Sequence, residues 1–93
     1  MNSRRLLALN VRKLRVARGL SQEGLAADAK LERAHLGRIE REKENPSLDV
    51  LDRIANALEV RIGALFDIET AAARGPIELS KGRKPTKRRR KPA

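Results

Sequence analysis

Residues 32–40 read ERAHLGRIE, a short segment that holds Glu32, Arg33, Ala34, His35 and Arg38 besides the apolar Leu36 and Ile39. Arginine carries a planar, permanently charged fork of N–H donors that bonds O6 and N7 of guanine together or clamps a phosphate. Arg33 and Arg38 are therefore candidates for either task. Arg33 is the better base reader, because the first residues of a groove-bound helix reach deepest. Glu32 falls at the start of the segment, where its charge suits the positive end of a helix; accepting from a cytosine amino group is the alternative. His35 can donate to a phosphate or a base. Gln22, Lys43 and Asn45 flank this stretch as candidate phosphate contacts, helped by the amides at the start of a preceding helix. Such contacts set register rather than sequence.

The inventory elsewhere excludes most other chemistry. There is no cysteine and His35 is the only histidine, so disulfides, thiol nucleophiles and Cys/His zinc sites are excluded and no metal is expected. No phosphate loop, dinucleotide-binding glycine pattern or paired carboxylates in a plausible cleft is present, so no catalytic residue, cofactor or enzymatic turnover is expected. Phe66 is the only aromatic residue, which removes the stacking platform of single-strand binders. The 93 residues carry 22 basic and 12 acidic side chains, net +10, a balance that favours polyanions. No apolar run reaches the roughly 20 residues of a spanning helix and no secretory signal is visible. A cytoplasmic protein without a membrane role is expected, on the nucleoid if the cell is prokaryotic.

The elements that must position these residues read as short helices. A first, about Ser3 to Arg18, spaces Leu7, Val11 and Leu14 on one stripe and is followed by Gly19, suited to a left-handed cap. Ser21 caps a second through about Asp28, with Leu20 stapled on Leu25. After a break at Ala29 to Leu31, a third runs from about Glu32 to Glu42 with only Leu36 and Ile39 as large apolar positions, so most of it faces outward. Asn45 and Pro46 end the next loop, and Ser47 caps a fourth whose apolar face is Leu48, Leu51, Ile54, Ala55 and Leu58. A fifth, around Ile62 to Ile68, offers Ile62, Leu65, Phe66 and Ile68, more apolar surface than so short an element hides at home; these four are candidates for contact with a second copy. Two helices joined by a turn of about three residues hold the second proud of a domain, as major-groove binding requires, although ordinary bundles contain the same hairpin.

The segments VRKLRVARGLSQEGLA from Val11 and LGRIEREKENPSLDVLDRIANALEV from Leu36 resemble the phage-repressor and Cro type of helix-turn-helix, often called the Xre family. The likeness covers roughly residues 7–66. It implies an all-α, compact five-helix bundle of the lambda-repressor-like kind that binds double-stranded DNA, usually as a homodimer. It also implies a structural ion pair between Arg15 and Glu40, joining the first helix to the recognition helix, and a phosphate or base contact for Gln22. Three positions depart from the family pattern: Lys30 and Glu42 stand where glycine is common, and Gly24 where glutamate is. Lys and Glu are strained in left-handed backbone, and Gly within a helix costs about 0.5–1 kcal/mol relative to Ala.

Charge divides the chain unevenly: residues 1–66 carry 13 basic and 9 acidic side chains, net +4, and residues 67–93 carry 9 and 3, net +6. The expected division is a DNA-binding domain over residues 1–68 and a basic tail, disordered when free, over residues 69–93. Within the tail, Lys81, Arg83, Lys84, Lys87, Arg88, Arg89, Arg90 and Lys91 are candidate DNA contacts. Residues 81–85, KGRKP, partly resemble an AT-hook, and residues 87–91, KRRRK, are a generic polycation. The functional expectation is a sequence-specific transcriptional regulator, a repressor in the family pattern, reading a palindromic operator. The competing reading is a helix-turn-helix antitoxin or coactivator-like adaptor whose main partner is another protein. A third, coating of DNA without sequence choice, draws on the tail alone.

Overall fold

The computed structural model describes residues 1–77 and Leu79; the tail candidates from Lys81 to Lys91 lie outside the described residues. Among the described residues the elements are all helical: α1 Ser3–Ala17, α2 Gln22–Ala29, α3 Arg33–Glu40, α4 Leu48–Leu58, a 3₁₀ segment Ile62–Phe66 and α5 Ile68–Ala72. The starts of α1, α2 and α4 are written locally. Asn2, Ser21 and Ser47 stand in extended backbone, and their side-chain oxygens accept from the amides of Arg5, Gly24 and Val50. These are the N-cap bonds that satisfy donors the helix itself leaves open.

The stops are written less cheaply. α1 to α4 all end in one motif, a left-handed residue whose amide bonds three residues back while the next amide bonds five back. Only α1 supplies glycine there, Gly19 at φ 73°. Lys30, Glu42 and Glu59 close α2, α3 and α4 at φ 61°, 64° and 61°. A Cβ in this region costs about 1–2 kcal/mol, so the three turns together hold strain that the core must offset. The positions that depart from the family's glycines keep the glycine backbone geometry. α3 is shorter than the Glu32 to Glu42 span expected, because Glu42 leaves the helix to make this turn.

The core is one cluster built from Leu7, Val11 and Leu14 of α1, Leu25, Ala26 and Ala29 of α2, Leu36 and Ile39 of α3, Leu51, Ile54 and Leu58 of α4, and Leu65. α2 packs on α4 and α3, and α1 packs on α3, α4, the 3₁₀ segment and α5. Small Ala26 and Ala29 let α2 approach its neighbours closely. Leu48 is not part of the apolar face: as the first helical residue its side chain tilts back beyond the packed layer, 74% exposed, and Val50 takes the inner position.

The fifth element also differs from expectation. Residues 62–66 wind as 3₁₀ helix, whose three-residue turn stacks Leu65 over Ile62, and the chain restarts at Asp67 as α5. Leu65 is completely buried in its own core, so it cannot meet a second copy; Ile62 and Phe66 are half-buried and Ile68 is 68% exposed. Buried Asn10 joins the two pieces, its amide donating to the carbonyls of Leu65 and Asp67 at 3.0 Å each. The Leu65 carbonyl falls where the 3₁₀ segment ends and would otherwise lack a donor, while the Asp67 carbonyl also accepts from the Ala71 amide at 3.2 Å. The expected boundary after residue 68 falls inside α5, which packs on α1 through buried Ala71, while Lys13 Nζ donates to the Ala73 carbonyl. Ile77 and Leu79 also pack against the core.

Candidate nucleic-acid interface

α3 is buried on one face and open on the other. Leu36, Gly37, Ile39 and Glu40 turn inward, while Glu32, Arg33, Ala34 and Arg38 are exposed. Glu32 is the N-cap residue and makes no side-chain cap bond, so its carboxylate acts there only through its charge. Lys43 and Asn45 are exposed on the loop that follows. The open side of α3 is thus a ridge of Arg33 and Arg38 bordered by Lys43 and Asn45.

What aims this ridge is a buried carboxylate. Glu40 has 1% of its side chain exposed and accepts from Arg15 Nε at 2.8 Å and Nη2 at 3.1 Å, a bidentate pair, and from Gln22 Nε2 at 2.9 Å. Arg12 Nε, a second cation, approaches the same carboxylate at 3.9 Å. Arg15 Nη1 also donates to the Leu20 carbonyl at 2.9 Å, tying the α1–α2 turn to the same cluster. One carboxylate thereby fixes α1, α2 and α3 together. Gln22, a candidate phosphate contact, is half-buried and donates one amide N–H to Glu40, because the start of α2 lies against the end of α3.

Three polar residues at this surface do not stand out from sequence spacing. Glu44 lies between the two flanking candidates and accepts from Arg38 Nε at 2.9 Å through Oε1, while its Oε2 lies 3.5 Å from His35 Nε2. The Arg38 hydrogen bond, with the Arg38 and His35 charges behind it, holds the Glu44 carboxyl below the usual glutamate range. His35 is accordingly half-buried rather than outward, and its Nε2 is buried without a hydrogen-bond partner among the described residues. Arg41 folds over Gly37, where a Cβ would meet its Nη1 at 3.1 Å. Arg5 reaches across from α1 to Glu42 at 3.1 Å. Sequence separation hides these pairs: Arg5 and Glu42 are 37 residues apart, and six residues separate Arg38 from Glu44 across a helix end.

A helix-turn-helix family model matches residues 11–65, from the middle of α1 to the end of the core. The chain belongs to the helix-turn-helix family, in its Xre/Cro branch. It is 40% identical over 60 residues to the immunity repressor protein of Bacillus phage phi105, a match covering 64% of this chain and 42% of the repressor. It is 39% identical over 70 residues to the control protein C.BamHI of Bacillus amyloliquefaciens, covering 74% of this chain and 86% of that protein. Among solved structures, the restriction-modification controller protein C.AhdI from Aeromonas hydrophila superposes with a TM-score of 0.64 at 39% identity, covering 66% of this chain and 92% of that one. The chain therefore spans less than half the length of the phage repressor but most of each control protein. These relatives carry the names of a repressor and of control proteins, and this chain shares their helix-turn-helix family. Among the described residues no helix is long and apolar enough to cross a membrane.

Proposed function

We propose that this helix-turn-helix protein regulates transcription by binding a specific double-stranded DNA operator, with α3 in the major groove. The single observation that carries the reading is the two-sided character of α3: its inner face is locked by Leu36, Ile39 and Glu40, while its outer face presents exposed Arg33 and Arg38. A helix held rigid on one side and open with arginines on the other suits a base-reading element. Arg33 reads a base, Glu32 lies over the helix start, Ala34 leaves room for close approach, and Lys43 and Asn45 contact phosphates. His35 sits behind this surface.

The natural assembly is a homodimer whose two recognition helices lie about 34 Å apart on a palindromic site. Ile62, Phe66 and strongly exposed Ile68 are the residues offered to the second copy. The helical body, continuing through α5, specifies the sequence. The basic tail beyond it adds nonspecific affinity, in a protein that works in the cytoplasm.

Selection from random duplexes tests this reading. Enrichment of a palindrome with half-sites one helical turn apart supports it, and a pool that stays random overturns it. Arg33→Ala should then abolish preference at one base pair of each half-site; equal weakening on all duplexes would assign Arg33 to phosphate instead. Light scattering of the free protein addresses the adaptor alternative, since a monomer at high concentration contradicts the symmetric dimer.

A further inference from the structure

An acidic side chain at a DNA-binding ridge opposes the phosphate field, yet Glu44 stands at the centre of this one, between exposed Lys43 and Asn45. Its two oxygens are divided. Oε1 takes the Nε hydrogen of Arg38 at 2.9 Å, and Oε2 lies 3.5 Å from His35 Nε2 one turn earlier on α3. The carboxylate is thus held by Arg38 and lies beside His35, with 28% of its side chain exposed, while Arg38 keeps 45%. Engaging Nε leaves the four hydrogens on the terminal nitrogens of Arg38, and none of these has a hydrogen-bond acceptor among the described residues. A guanidinium bound at its base has lost much of its rotamer freedom before any ligand arrives. The Arg38–Glu44 pair is also close to neutral, so it releases few counterions on meeting a phosphate and attracts the backbone weakly. What it retains is a fixed fork of donors.

We propose that Glu44 is a specificity-determining positioning residue: it holds Arg38 by Nε so that the free end of the guanidinium is presented to the O6 and N7 edge of one guanine, not to the backbone. This assignment rests on α3 occupying the major groove, as proposed above. It makes Arg38 a reader whose contribution is insensitive to salt, and it exchanges general DNA attraction for discrimination at one base pair.

The test uses the full chain, the operator recovered by selection and the set of its single-base-pair variants, with affinities measured across a salt series. Glu44→Ala should lower the preference for guanine at one position of each half-site about tenfold, the discrimination that disappears when one bidentate contact is undone. It should also steepen the salt slope by up to about 0.9, as Arg38 becomes a free cation able to pair with phosphate. Glu44→Gln, which keeps an acceptor for Nε without the charge, should retain more of the base preference while steepening the slope. Thermal melting of each variant checks folding, and Glu44 lies outside the core, so both should fold. A Glu44→Ala chain that binds every duplex more tightly by the same factor, base preference intact, overturns the proposal and leaves Glu44 a merely repulsive charge. An Arg38→Ala chain with unchanged preference at every position overturns it too, while the operator reading survives on Arg33. Failure of the unmodified chain to enrich any operator overturns both.

Discussion

Replacing Glu40 by alanine tests what aims the recognition helix. The side chain is 1% exposed and accepts three hydrogen bonds, two from Arg15 and one from Gln22. Removing it leaves a guanidinium with 14% exposure facing a cavity, and breaking one side of a buried pair costs about 3–5 kcal/mol. Arg15 keeps its bond to the Leu20 carbonyl and some access to water, which places the expected loss near the lower bound, about 3 kcal/mol. A body of roughly 75 residues has a folding free energy of about 4–11 kcal/mol, so Glu40→Ala should remove a large share of it. Urea denaturation followed by helical circular dichroism is the assay: the midpoint should fall with the slope unchanged. The companion is the double variant Arg15→Met with Glu40→Leu, which removes both charges and refills the space. It should recover most of the loss, because two apolar side chains avoid the desolvation that the ion pair suffers. A Glu40→Ala loss below about 1 kcal/mol, outside the range for a broken buried pair, would refute the reasoning. So would a double variant no more stable than the sum of its singles.

Four further outcomes follow from the same structure. Lys30→Gly should stabilise the fold by about 0.5–1 kcal/mol, read as a higher melting temperature, because it relieves a left-handed Cβ and the side chain of the lysine it replaces is exposed. Asn10→Ala should cost about 2 kcal/mol by stranding the buried Leu65 carbonyl and removing the tie to Asp67, with hydrogen exchange accelerating first in α5. The Asp67 carboxyl, hydrogen-bonded first by the Thr70 hydroxyl and then by the Thr70 amide, is held below the usual aspartate range. Its cap on α5 is therefore fully present above the unfolded pKa and lost as pH falls through the lowered folded value; the Thr70 amide resonance should titrate at that lowered midpoint, and Asp67→Asn should abolish the transition. Removing the residues after Leu79 should leave base preference intact and make the salt slope shallower by about 0.9 for each phosphate that the tail had neutralised, whereas an unchanged slope would dismiss the tail as a DNA-binding segment.

Much of this protein is written in short-range signals. A serine cap acts on an amide three residues away and a helical stripe repeats within two turns, so the starts of α2 and α4, the stop at Gly19 and the faces of Leu7, Val11, Leu14, Leu36 and Ile39 follow from spacing alone. The family motif, carried by residues in order along the chain, was legible for the same reason. The outward arginines of α3 follow by elimination once its inner face is assigned.

Tertiary structure decided the rest, wherever the deciding partner lies far along the chain or local preference is overruled. Leu65 looked available to a second copy until α1 and α4 closed over it, and Asn10 has a role only because the carbonyls 55 and 57 residues away arrive beside it. Lys30, Glu42 and Glu59 occupy backbone that their own side chains disfavour; packing of the helices on either side sets the turn, and its gain exceeds the local strain. Glu44 is the case closest to function: only when the chain doubles back past the end of α3 does an ordinary charged loop residue become the partner of Arg38.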